Sequence, residues 1–298
     1  MDPTPEQRIA EAAAVLPAFG GVTGWAALRW QGAHWFGGLA PDGRTPLPVV
    51  LATSEADIRS QPGILVSAER LSPHELVRHD GLPITTALRS VTFAMRHAAT
   101  VRSAVVVADM AMYADLVSLE ELLGWALLNR GWTGCPQLRE AVALADENCW
   151  SPQETRALRL PWMLDAGLPR PLMNRPVFDR EGRHLGTPDL LDEEAGVAGE
   201  YDGPLHLAGA RRALDIRREA EFRRVGLETF VVTGADAGDP LGAVRRMQEA
   251  RARARFEAPS TRAWTIDPPH WWIRTDSVAR RRALDDRQRQ ELLGYRIG

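Results

Sequence analysis

Between His184 and His206 the chain reads HLGTPDLLDEEAGVAGEYDGPLH, and Asp189, Glu200, Asp202 and His206 among its side chains are of types that handle metal ions and protons. Asp189 follows a proline at the head of one apolar run. Glu200 and Asp202 close the next run, and His206 lies four residues further on. Residues two apart in a strand share a face, so Glu200 and Asp202 point the same way with Cα atoms roughly 6.6 Å apart. Two short strands joined by the acidic, glycine-containing turn bring Asp189 to them. Converging carboxylates repel, and each raises the pKa of the others unless a cation sits among them. Mg²⁺ (or Mn²⁺) relieves this, because such an ion takes carboxylates together with several retained waters. It also polarises a phosphoryl oxygen and lowers the pKa of bound water. His206 is placed to take or give a proton. The chemistry expected of this stretch is phosphodiester hydrolysis, with Asp189, Glu200 and Asp202 as metal ligands. Structural explanations stand beside it: Asp189 ends a strand, and Asp202-Gly203-Pro204 is a turn in its own right.

The elements around the stretch follow from local signals. Ser151-Pro152-Gln153-Glu154 starts a helix that runs to Ala166, with Gly167 as its stop. Glu154 occupies the third position of that capping box, which accounts for it without catalysis. Strands are expected over Pro176–Asp179, His184–Leu191 and Val197–Asp202. A helix over about 209–225 carries Arg211, Arg212, Arg217 and Arg218, either to meet phosphates or as a solvated face. A strand at Thr229–Val232 and a helix capped by Asp239-Pro240 complete an αβββαβα order, a mixed sheet with helices against it. Residues 1–150 read as a mainly helical module with a small sheet. Its strands are Val49–Ala52 and Ile64–Ser67, and its helices start at Thr4-Pro5, at Thr85 or Thr86 after the GLPITT break, and at Ser118. Residues 257–298 form a partly helical tail whose Trp271-Trp272 pair either stacks bases or packs onto a neighbouring domain.

Composition bounds these readings. The 298 residues suffice for two domains, and 45% hydrophobic with 25% charged residues is ordinary for a soluble globular chain. No apolar run approaches the roughly 18 residues of a membrane span, so no membrane partner is expected. MDPTPEQRIAEAAAV lacks the basic start and apolar core of a signal peptide, which points to the cytoplasm. Cys135 and Cys149 are too far apart for a zinc site or a disulfide framework. All 36 basic residues are arginine, which excludes any mechanism built on a lysine. Residues 1–150 hold 11 Arg against 16 Asp and Glu, a poor balance for an autonomous DNA-gripping module. Residues 151–256 hold 17 of each.

On SPQETRALRLPWMLDAGLPRP, TPDLL, GEYDGPLH and the Asp215/Arg218 helix, residues 151–256 resemble the very-short-patch-repair-like branch of the PD-(D/E)XK nuclease superfamily. The resemblance implies a Mg²⁺-dependent DNA endonuclease of the α/β (α+β) class. It assigns catalytic positions to Glu154, Asp189, Glu200, Asp202 and His206. Asp202 stands where the superfamily often carries a lysine, which leaves water activation to the metal and His206. Residues 19–150 resemble AbiEi-type antitoxin and transcriptional-regulator proteins, on VTGWAALRWQG, DGLPITTALRSV, AVVVADMA and LADENCWSPQE. That resemblance implies an alternative, a non-catalytic DNA-binding regulator with a toxin or defence-system partner.

Overall fold

The computed structural model describes the backbone of residues 3–40, 42–54, 58–203 and 209–294, and the side chains of the same residues except 209–216. The chain divides into two compact units, Met1–Glu147 and Asn148–Gly298. Each mixes helices with small sheets. No described helix is long and apolar enough to cross a membrane.

The first unit opens with α1 (Pro5–Ala13), whose Thr4 hydroxyl accepts from Gln7 N at 3.2 Å. It then builds a five-stranded sheet in the order β3-β2-β1-β5-β4. The strands are β1 (Gly21–Thr23), β2 (Val49–Ala52), β3 (Ile64–Ser67), β4 (Leu76–His79) and β5 (Leu82–Thr85). The sheet is therefore larger than the two strands the sequence suggested: GLPITT contains the strand Leu82–Thr85, and its Thr86 caps the helix that follows, as expected, accepting from Arg89 N at 3.4 Å. Asp80 and Gly81 both take positive φ, 46° and 80°. They are the two central residues of the tight Asp-Gly hairpin that joins β4 to β5. The helices are α2 (Gly24–Trp30), α3 (Ala87–Arg96), α4 (Val101–Tyr113), α5 (Leu119–Leu128) and α6 (Cys135–Leu144). Trp25 of α2 is buried and donates its indole N–H to Pro48 O at 2.8 Å, so this tryptophan belongs to the core.

A charged cluster lies inside this unit. Glu69 accepts from Arg96 at 2.6 Å, from Arg89 at 2.9 Å and contacts His97 at 2.7 Å. Despite its partial burial, hydrogen bonds from Arg96, His97 and Arg89 hold the Glu69 carboxyl at about 2. Both arginines are buried. Removing one partner of a buried pair costs about 3–5 kcal/mol because a charge is left uncompensated. Glu69→Ala is thus expected to destabilise the first unit by roughly 3 kcal/mol in urea denaturation. A change below about 1 kcal/mol, the range of exposed pairs, would show that the cluster is solvated instead.

The second unit begins with a helix wound from i to i+5 over Glu154–Arg159 and Pro161–Asp165. Pro161 carries no N–H, so it cannot donate to the preceding turn. Leu160 N reaches Thr155 O, and Ala166 N reaches Pro161 O at 2.8 Å. Such π-type turns are uncommon and concentrate at functional sites. Four strands follow in the order β11-β10-β9-β6: β6 (Leu172–Met173), β9 (Leu190–Asp192), β10 (Val197–Asp202) and β11 (Glu228–Thr233). β10 is antiparallel to β9 and parallel to β11, which is reached through α7 (Gly209–Arg224). α8 (Pro240–Arg253) starts at Asp239, whose carboxylate accepts from Gly242 N at 3.0 Å.

Two expectations are corrected here. The single strand expected over His184–Leu191 is two, because Pro188 cannot donate to a ladder. Its first part is β8 (His184–Gly186), which pairs with β7 (Val177–Asp179) in a separate three-stranded sheet, β12-β7-β8. Its second part is β9. The residues after 257 are also not an appendage. β12 (Trp264–Thr265) is the third strand of that sheet, antiparallel to β7. Trp264 is buried in a core with Val177, Leu185, Leu191, Ala198 and Phe222. Short helices α9 (Val278–Arg282) and α10 (Asp286–Leu293) end the unit.

Candidate carboxylate site at the end of strand β10

The antiparallel register pairs Val197 with Asp192, Ala198 with Leu191 and Gly199 with Leu190. Continued by one residue it sets Asp189 opposite Glu200, and here the ladder stops. The Asp189 side chain takes over from its backbone: Tyr201 N donates to Asp189 Oδ2 at 2.7 Å. On the other side, Asn174 N donates to Asp189 O at 3.1 Å. Asp189 is thereby held where β9 begins, with its carboxylate against the backbone between Glu200 and Asp202.

Glu200 is half-buried and receives Arg218 of α7 at 2.9 Å. The parallel register places Val231 beside Glu200 on β11, so that strand supplies no charge there. Gly186 is what lets Arg218 through: a Cβ on Gly186 would lie 2.8 Å from both Cγ and Cδ of Arg218. A side chain at 186 would have to displace the arginine stem.

Glu154 enters from the π-wound helix. That helix is seated on the sheet by Trp162, which stacks on Phe230 of β11 at 5.6 Å between centroids and 13° between planes. Gly199 gives Phe230 room, since a Cβ there would stand 2.4 Å from the ring. Glu154 is only 7% exposed. The capping box accounts for half of its environment. Ser151 Oγ accepts from Glu154 N at 3.2 Å, but the carboxylate does not return to Ser151 N. It accepts instead from Trp150 N at 2.8 Å and from Asn174 Nδ2 at 2.6 Å. Burial first, and the charge of Asp189 second, raise the Glu154 carboxyl to about 8, against hydrogen bonds from Trp150, Asn174 and Ser151 that oppose the shift. At neutral pH the pair holds a proton.

Sequence reasoning passed over Asn148 and Asn174. Asn174 adopts φ 46°, a left-handed conformation that asparagine tolerates better than most residues. Its Nδ2 also donates to Asn148 O at 2.7 Å, while Asn148 Nδ2 donates to Met173 O at 2.7 Å and Asn174 O at 3.1 Å. The two amides tie the segment ahead of the Glu154 helix to Asn174, whose backbone N–H in turn holds Asp189. The available signal was an asparagine beside Arg-Pro immediately after an apolar pair.

The expected site residues are unequally placed. The charge of Asp189 acts on Glu154, Glu200 is opposite Asp189 in register, and Asp202 is exposed at the last position of β10. Among the described residues no three His, Cys, Asp or Glu side chains form a group able to enclose a metal ion. The carboxylates the structure unites are thus Glu154 and Asp189, rather than Asp189, Glu200 and Asp202 together. His206 lies outside the described residues, as do the side chains of Arg211 and Arg212. Arg217 is exposed, and Arg218 is engaged with Glu200. Comparison with family models, with curated proteins and with solved structures finds no match to this chain.

Proposed function

We propose that the second unit is a Mg²⁺-dependent DNA endonuclease whose reaction centre is the end of β10. The observation that carries this reading is convergence. The Asp189 carboxylate sits on Tyr201 N at the broken ladder position and its charge acts on the buried Glu154 of the helix, while Glu200 stands one register position away, opposite Asp189 and engaged with Arg218. Sheet order supports it too. An antiparallel β6-β9-β10 run is followed through α7 by a parallel β11, with β6 in the place of the expected first strand, since β7 and β8 pair in the other sheet.

The residues fit a hard divalent ion. Mg²⁺ needs only one or two carboxylates because it keeps several waters. A buried carboxyl whose ionisation is opposed by burial and by the charge of a neighbouring carboxylate is a donor that such an ion would relieve. Asp189 and Glu154 would hold it, with Glu200 completing the set when Arg218 turns from it to a phosphate. When bound, the ion supplies a polarised phosphoryl oxygen and a water of lowered pKa. The chain's own residues do the rest. Glu154 gives up its proton on loading, Tyr201 N and Asn174 N keep Asp189 in place, and Arg218 offers a planar, permanently charged fork to phosphate oxygens. Asp202, exposed beside them, is left to orient water, and proton transfer is assigned to His206.

Loading is detectable without catalysis. Mg²⁺ at a hundred times its Kd stabilises the folded protein by about 2.7 kcal/mol. We expect a thermal shift of that origin in the wild type and none in Glu200→Gln. Incubation of supercoiled plasmid with Mg²⁺ or Mn²⁺ is expected to yield nicked circles. Failure to cut duplex or single-stranded DNA with either ion removes the nuclease reading and leaves the regulator reading in its place.

A further inference from the structure

Next to the carboxylate site lies a cleft of about 420 Å³, within the range of small-molecule sites. Trp150, Phe178, Trp271 and Trp272 give it aromatic walls. Trp272 meets Phe178 edge-on at 5.0 Å between centroids and Trp271 at 5.8 Å. Trp271 is 58% exposed, a large apolar surface with little structural work to do. The lining also includes Asn174 and Arg175. Asn174 is 2% exposed, and its Oδ1 has no hydrogen-bond partner among the described residues; the same holds for Arg175 Nε.

The lining also carries charge. Arg175, Arg274 (2.7 Å) and Arg280 (2.5 Å) all converge on Asp276. Against the cost of burial, Arg274, Arg175 and Arg280 hold Asp276 ionised, with its carboxyl at about 2. Three guanidinium groups around one carboxylate leave a surplus of positive charge. Glu291 also lines the cleft, and Arg287 lies 3.8 Å from it. Two residues join the cleft to the carboxylates: Trp150 and Asn174 line it, and both donate hydrogen bonds to Glu154.

We propose that this cleft holds one unpaired nucleotide of a DNA strand, its base against Trp271 and Trp272 and its phosphate at Arg175 and Arg274. Aromatic faces accept any base by stacking, and guanidinium groups take the phosphate, so the site requires an unpaired base but reads little sequence. The strand that fills it passes the Glu154–Asp189 pair, which makes single-stranded DNA, or duplex with an extruded base, the preferred substrate. The inference rests on the reading that the ligand is DNA, but its test does not use cleavage.

The test is fluorescence anisotropy of the full chain in EDTA, with a fluorescein-labelled oligothymidylate and a blunt duplex as probes. Trp271 is exposed, so Trp271→Ala leaves the core intact. Stacking on one aromatic residue is worth about 1–3 kcal/mol per base. Trp271→Ala is therefore expected to weaken oligothymidylate binding by about tenfold or more. Trp271→Phe should restore most of it, and duplex affinity should stay within about twofold. Unchanged single-strand affinity in Trp271→Ala overturns the proposal. So does an equal loss for both probes, or binding of a proline-rich peptide with no binding of the oligonucleotide. Selective loss in Trp271→Ala from a protein that cuts nothing keeps the pocket and removes the nuclease; plasmid cutting with no effect of Trp271→Ala on binding does the reverse.

Discussion

Glu154→Gln is expected to stabilise the protein at pH 8 by on the order of 2–4 kcal/mol, and to leave it little changed near pH 4. The cause is the proton that the folded protein keeps on Glu154. Burial, and then the charge of Asp189, raise this carboxyl from the ordinary 4.5 to about 8. Between those values the native state binds a proton that the unfolded chain has released. Stability therefore falls as pH rises through this window, by at most about 1.4 kcal/mol per pH unit. Glutamine is neutral throughout, so its curve lacks this descent. Its side-chain oxygen can still accept from Trp150 N and Asn174 Nδ2, the two bonds that hold Glu154 in place. Urea denaturation of both proteins at pH 5 and pH 8 reads the difference directly. If Glu154→Gln loses stability at pH 8, or differs from the wild type by a constant amount, Glu154 is a structural partner and not a frustrated ligand.

Asp189→Asn is expected to separate fold from metal binding. The amide oxygen of asparagine can accept from Tyr201 N as the carboxylate does at 2.7 Å, so the β9–β10 junction survives. What goes is a negative charge beside Glu154. The variant should unfold within about 1 kcal/mol of the wild type, the net worth of one hydrogen bond. Its Mn²⁺ affinity, by titration calorimetry, should drop at least a hundredfold, the loss of one anionic ligand being larger than the 10–100-fold effect of outer-sphere changes. Wild-type affinity should also rise from pH 6 to pH 8, with proton release on binding, since Glu154 must deprotonate to serve as ligand. Binding that is insensitive to both pH and Asp189→Asn would put the metal elsewhere.

The carboxylates on β9 and β10 were legible because acids at the ends of apolar runs have few local explanations. Glu154 was obscured by a local explanation that is itself real. Ser151 does accept from Glu154 N, yet a capping motif says nothing of where the carboxylate goes, and burial decided that. Which carboxylates meet depends on strand register and on the π-wound helix seated by Trp162 and Phe230, contacts distant in sequence. The asparagine brace was silent because amides carry no charge pattern. The division of His184–Leu191 between two sheets had a signal in Pro188. The Asp80-Gly81 hairpin was outweighed by the helix cap that follows it, Thr86, which is itself real. The tail's aromatic residues gave no sign of their partners, since Phe178 lies more than ninety residues before Trp272.

The nuclease reading is tested most directly by incubating supercoiled plasmid with the full chain and Mg²⁺ at pH 8, beside Asp189→Asn and an EDTA control. The wild type is expected to convert supercoiled circles to nicked ones, the EDTA control to convert none. Metal catalysis contributes several kcal/mol, so Asp189→Asn should be slower by about three orders of magnitude. Equal nicking by the wild type and Asp189→Asn, or nicking that persists in EDTA, would contradict the assignment of the reaction to the end of β10.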